Sequence, residues 1–204
     1  MMFKRSFLKV IALSAASATL ALFSPIAFAN DPLVLVKTSM GEFTIELYPS
    51  KAPKTVENFL KYVADGHYSG TIFHRVIGNF MIQGGGFTRD FYKSASTPQP
   101  KPTRKPIALE SQNGLRNDIG MVAMARTQNP ESATAQFYIN TVDNPNLNYP
   151  APDGHGYAVF GKIVKGQETV AKIRAAQTYA IGFFSDVPAE PILIDSITLL
   201  GAKK

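Results

Sequence analysis

The apolar residues of this chain come in short runs separated by Gly, Asn and Pro. From Leu33 onward none approaches the roughly 18 residues that a membrane-spanning helix needs, and no repeat of about 20 to 50 residues is visible. Residues 33–36 are apolar and β-branched, Ser39-Met40-Gly41 reads as a turn, and residues 43–47 alternate strictly with period two. That pattern predicts an N-terminal hairpin. Residues 72–77, 80–83, 121–125, 137–139, 157–164 and 192–200 read as further strands. Two segments break the pattern. After Pro53, the residues Val56, Phe59, Leu60 and Val63 recur at helical spacing and Gly66 can end the segment, which predicts a helix of about three turns. Val170 and Ile173 behind Gly166 predict a second, shorter one. Many short strands with a helix near each end point to a closed or nearly closed antiparallel barrel, not to alternating βαβ units.

The first 29 residues stand apart from this domain. Lys4, Arg5 and Lys9 precede an apolar stretch over residues 10–23 that is short and rich in Ser, Ala and Thr, and Ala27-Phe28-Ala29 supplies a small-x-small cleavage signal. Residues 1–29 are expected to be a signal peptide and residues 30–204 one exported domain, periplasmic and without stable membrane insertion after cleavage. Removal takes three basic residues from a formal charge of +6, leaving +3. So small a surplus predicts no nucleic-acid partner. With 0 Cys, the chain cannot build a disulfide scaffold, an iron-sulfur cluster, a Cys-based zinc site or a catalytic thiol.

Other chemistries lack their residues. Gly84-Gly85-Gly86 is not followed by Lys-Ser or Lys-Thr, so it predicts close backbone packing or a bulge in place of a phosphate loop. His67, His74 and His155 have no metal-ligand spacing, and no metal or cofactor is expected. In Gly66-His67-Tyr68-Ser69-Gly70 the Ser is one position late for a nucleophile elbow. Residues 94–106, rich in Pro and basic residues, read as an exposed extended loop.

What remains is Phe73-His74-Arg75-Val76-Ile77-Gly78-Asn79-Phe80-Met81-Ile82-Gln83-Gly84-Gly85, which places an Arg, a Gln and two large apolar side chains close together in strand-like sequence. The stretch resembles the cyclophilin family of peptidyl-prolyl isomerases. So do Met121-Val122-Ala123-Met124-Ala125-Arg126, the segment 132–140 around Gln136-Phe137-Tyr138, the run 159–166, and the early helix from Pro53 to Phe59. These motifs follow the family's order across residues 33–200. The resemblance implies a closed eight-stranded antiparallel barrel capped by two α-helices, with the site on its outer face.

By the same resemblance Arg75 is the catalytic arginine and Gln83 the polar residue that orients it and the substrate. Phe80, Met81 and Tyr138 form the proline pocket. Ala125 and Arg126 are the edge that binds substrate backbone, with Gln136 beside it and Leu147 and Tyr157 on the far rim. Tyr138 stands where most relatives have Phe, so its hydroxyl needs a partner. Gly78-Asn79 replaces a common Pro-Gly pair, which predicts a looser turn before Phe80. The expected function is isomerisation of X-Pro bonds in unfolded or partly folded exported chains, by a monomer acting as a folding helper. The alternative is a proline-segment binding module or holdase with little turnover; an intact Arg75 favours the enzyme.

Overall fold

The computed structural model describes residues 31–93 and 98–201. The expected signal peptide, residues 1–29, lies outside them, as do positions 94–97 of the proline-rich loop. Ten strands and two α-helices follow in order: β1 (Leu33–Thr38), β2 (Gly41–Leu47), α1 (Pro53–Ala64), β3 (Thr71–Ile77), β4 (Met81–Thr88), β5 (Met121–Met124), β6 (Phe137–Asn140), β7 (Val159–Lys165), α2 (Gln167–Arg174), β8 (Thr178–Ile181), β9 (Phe184–Pro188) and β10 (Ile192–Leu199). Eight strands close into an antiparallel barrel in the order β1-β10-β3-β4-β6-β5-β7-β2. The expected architecture is therefore the observed one. β8 and β9 form a separate two-stranded hairpin that the sequence reading did not contain.

Period-two alternation sorts side chains between the barrel interior and its outer face. Val34, Val36, Phe43, Ile45, Ile82, Val122, Met124, Phe137, Ile139 and Phe160 point inward and are almost fully buried. Helix α1 completes this core with Val56, Phe59 and Tyr62, and the Phe59 ring lies 5.2–5.7 Å from the rings of Tyr68, Phe137 and Phe160. Its first turn has no local side-chain cap. Instead Glu110 accepts hydrogen bonds from the Lys54 and Thr55 amides at 3.1 and 2.8 Å, placing a carboxylate at the positive end of the helix. Val170 and Ile173 of α2 join the same core.

Strand β4 runs beyond the predicted stop at Gln83, straight through the three glycines. A Cβ on Gly84 would stand 2.9 Å from the Phe73 ring, and one on Gly86 2.5 Å from the Gln136 side chain. The expectation of close packing holds. Positions 98–106 carry no helix or strand, and residues 102–106 are exposed. They are nonetheless tied down, with the Lys101 amide donating to Gly86 O at 2.8 Å and the Arg104 amide to the Tyr62 hydroxyl at 2.7 Å. Among the described residues, no helix is long and apolar enough to cross a membrane.

Candidate active site

The outward residues of β4, β5, β6 and β7 meet on one flank of the barrel. Met81, Ala123, Tyr138 and Val159 pack there with Leu147, and Phe80, Ala125 and Tyr157 lie against them. They floor a pocket of about 110 Å³, the size of a small ring, lined by Arg75, Phe80, Met81, Gln83, Ala125, Arg126, Tyr138, Leu147 and Tyr157. Every residue expected at the site lines this pocket except Gln136, which stands just behind it. Gln83 donates to Gln136 Oε1 at 2.9 Å, so the two amides form one unit at the pocket edge.

Arg75 reaches the outer face because β3 is irregular. Phe73 and Val76 both enter the core although they are three apart, which strict alternation forbids. The ladder shows why: Phe73 pairs with Gly84 and Arg75 with Gln83, so one step of β4 faces two of β3. This bulge turns Arg75 toward the pocket and His74 to the opposite flank. There His74 is buried against Phe87 and Phe91, with ring centroids 4.8 and 6.2 Å away, and its Nδ1 has no hydrogen-bond partner. Burial first, and then the charge of Arg75, pull its pKa down to about 4, so the ring is neutral near pH 7.

Although Gln83 stands across from Arg75 in register, its amide nitrogen is bonded to Gln136. The charged group near Arg75 is Asp186 on β9, whose Oδ2 lies 4.0 Å from Arg75 Nε. Neither the strand nor the residue was evident in the sequence.

The Tyr138 hydroxyl finds the partner it requires, donating to Asn117 Oδ1 at 2.8 Å. Burial, and next the neighbouring Tyr157, push its pKa well above the usual tyrosine value, so it remains a neutral donor. Asn117 is fully buried and anchors a polar network behind the pocket. Its amide donates to Asn148 Oδ1 at 2.6 Å, Asn140 Nδ2 reaches its Oδ1 at 3.3 Å, and Asn144 Nδ2 donates to Asn140 Oδ1 at 2.7 Å and to Phe80 O at 2.8 Å. The turn before Phe80 is correspondingly fixed, contrary to the looseness expected of Gly78-Asn79. The Phe80 amide closes it on Ile77 O at 2.9 Å, and a Cβ on Gly78 would stand 2.8 Å from the Arg174 carbonyl.

Arg126 is spent internally. Its side chain is 2% exposed; Nη2 binds both oxygens of Asp153 at 2.8 and 2.7 Å, Nε and Nη2 donate to Gly156 O, and Nη1 donates to Thr127 O. The guanidinium also lies 4.4 Å from the Tyr157 ring centroid. Its hydrogen bond, more than any other cause, holds the Asp153 carboxyl below the usual range. Only the main chain of the 125–126 edge can therefore serve a ligand. Among the described residues, no cluster of three or more His, Asp or Glu could hold a metal ion.

Comparison with known proteins agrees with this fold. The family profile described as cyclophilin type peptidyl-prolyl cis-trans isomerase/CLD matches residues 33–199. A peptidyl-prolyl cis-trans isomerase of Streptomyces antibioticus is 53% identical over 170 residues, covering 82% of this chain and 98% of the relative. One from Acinetobacter baylyi is 48% identical over 178 residues, 87% of this chain and 90% of that one. Among solved structures, a cyclophilin type isomerase of Cryptosporidium parvum, crystallised in the presence of the dipeptide Ala-Pro, superposes with a TM-score of 0.65 at 29% identity, covering 82% of this chain and 98% of that one.

Proposed function

The chain belongs to the cyclophilin type peptidyl-prolyl cis-trans isomerase family and is an enzyme of that kind, and from this premise we propose that Arg75 and its pocket are the catalytic site and that the clients are exported proteins in the course of folding. The observation that carries the proposal is a guanidinium held by no short hydrogen bond, its carboxylate neighbour Asp186 standing 4.0 Å off, beside a ring-sized pocket floored by Met81, Ala123, Tyr138 and Val159. Amide resonance opposes rotation about an X-Pro bond with a barrier of about 18–20 kcal/mol. Lowering it needs no covalent chemistry. Phe80, Met81 and Leu147 hold the pyrrolidine ring over Tyr138, while the main chain at Ala125 and Arg126, with Gln83 and Gln136 beside it, aligns the flanking substrate backbone. Arg75 then donates toward the prolyl nitrogen lone pair as resonance is lost, stabilising the twisted transition state more than either planar isomer. A gain on the order of 10⁴ requires about 5.5 kcal/mol, which one preorganised charged donor, desolvation and anchoring can supply together.

The ligand class is a proline-containing segment of an unfolded or partly folded polypeptide; the Cryptosporidium parvum relative crystallised with Ala-Pro is consistent with that class. The protein acts as a monomer. Lys4, Arg5 and Lys9, the apolar stretch over residues 10–23 and Ala27-Phe28-Ala29 support export to the periplasm with Asn30 as the first mature residue. N-terminal sequencing of the periplasmic fraction tests this: full-length chain confined to the cytoplasm would overturn it. For the site, Arg75→Ala is expected to lower kcat/KM about a hundredfold in a proline-switch peptide assay with unchanged circular dichroism. Near wild-type turnover would remove Arg75 from the mechanism.

A further inference from the structure

The hairpin β8–β9 lies outside the barrel and packs behind β3. Ile181, Phe184 and Val187 meet Ile72, Phe87 and Phe91 in a second small core. Phe184 and Val187 share a face although they are three apart. Tyr179 pairs with Val187 and Ile181 with Phe184, so Ser185 and Asp186 together oppose Ala180. Asp186 is the bulged residue, with φ at 61°. Glycine takes this left-handed conformation without steric cost, and of the residues with a Cβ, which are uncommon there, Asp and Asn enter it most readily. Packing of Phe184 and Val187 explains the bulge. It does not explain a carboxylate at the strained position.

The bulge aims that carboxylate at Arg75, with Oδ2 4.0 Å from Nε, and both side chains remain partly exposed. Among the described residues it is the one carboxylate within that distance of Arg75. The separation is too long for a direct hydrogen bond, so the attraction acts through charge. A long, partly exposed arginine otherwise samples many rotamers. A closer pair, such as Arg126 Nη2 makes with both oxygens of Asp153, would consume a terminal donor that catalysis requires. An anion set back on the Nε side restrains the guanidinium without occupying its terminal nitrogens.

We propose that Asp186 is a positioning residue for Arg75, holding the guanidinium directed into the proline pocket from a strained bulge on the β8–β9 hairpin. This rests on the reading of Arg75 as the catalytic donor. Bulges in two separate strands, one on β3 and one on β9, bring the pair together. A non-glycine residue in left-handed backbone, with its carboxylate aimed at the guanidinium, is the kind of outlier from which a functional role is argued.

The test is steady-state kinetics on Asp186→Asn and Asp186→Gly, each alone and combined with Arg75→Ala. Asn preserves shape and tolerates left-handed backbone, so Asp186→Asn isolates the charge. It is expected to lower kcat about fivefold, leave KM within about twofold and leave the melting temperature unchanged. Asp186→Gly is expected to lose the same activity while melting no lower than wild type. With Arg75→Ala present, neither change should reduce the residual activity further. Several outcomes overturn the proposal: wild-type or raised kcat in Asp186→Asn, a loss that tracks a fall in melting temperature, or a loss that persists in full beside Arg75→Ala. If Arg75→Ala itself retains activity, the catalytic reading fails first, and the two failures are told apart by that single variant.

Discussion

The pocket on the barrel flank has two banks, each with an arginine, and they are built by opposite means. On one bank Arg75 leaves β3 beside its largely apolar backing, the cluster of Phe87, Phe91, Phe184 and Val187 that packs on the opposite flank of the strand and buries the His74 ring. On the other, Arg126 sits among the Asp153 carboxylate and the Gly156 and Thr127 carbonyls, and a separate asparagine network around Asn117 and Asn148 backs the pocket floor. The apolar bank offers no short acceptor and leaves its arginine able to donate to a ligand. The polar bank engages every nitrogen of its arginine and becomes rigid. Two guanidiniums lining one pocket thus differ in the acceptors within their reach.

Substitution can break this contrast from either side. The largest effect is expected from Arg75→Ala, about a hundredfold in kcat/KM with an unchanged melting temperature. Arg126→Ala should do the reverse; equal activity losses in the two variants would end the distinction. Acid attacks the dry bank next. The folded-state pKa of His74 is about 4 against an ordinary value of 6.5, so the unfolded chain binds more protons between those values. Stability is full above pH 6.5 and declines toward pH 4, by on the order of 3 kcal/mol if no other group compensates. Urea midpoints across that range measure it, and His74→Phe should flatten the slope. A slope unchanged in that variant would place its origin elsewhere.

The wet bank responds to truncation instead. Arg126→Ala removes a buried packed stem and leaves the acceptors around Gly156 without donors, for an expected loss of about 2 kcal/mol by denaturant unfolding. Catalytic rate at temperatures where the variant is folded should stay within about threefold, since the stabilisation it provides is the same in ground and transition states. The mildest change is Tyr138→Phe. Asn117 Oδ1 keeps the contact from Asn140 at 3.3 Å, so about 1 kcal/mol is expected to be lost with activity nearly unchanged. A large activity loss would show that the polar bank reaches into the chemistry.

Legibility in the sequence followed the same divide between regular and irregular backbone. Residues 43–47 alternate cleanly and Val56, Phe59 and Leu60 keep helical spacing, so the N-terminal hairpin, α1 and the barrel could be read. Arg75, Phe80, Met81 and Gln83 lie in one short stretch, and the family motif marked them. The β8–β9 hairpin escaped because its bulge puts Phe184 and Val187 on one face and destroys the period-two signal. Asp186 is far from Arg75 along the chain, and no local pattern links them. Asn117 was equally silent, because an asparagine among loop residues ordinarily reads as surface, whereas this one is fully buried. The inward turn of Arg126 depends on Asp153 and Gly156 in a loop rich in Pro, Asn and Gly, whose course composition does not determine.

Closure of the barrel has a further consequence for an enzyme that acts on proline-containing peptides. Each strand of the ring is paired on both sides, so its main-chain amides and carbonyls offer no template onto which an extended client could add itself. An open sheet edge would instead invite an extended peptide to pair along it outside the pocket. The β8–β9 hairpin does keep open edges, and it is short, bulged at Asp186 and ends in Pro188, features that discourage edge-to-edge addition. The irregularity that hid this hairpin from the sequence pattern also makes it a poor template for another strand.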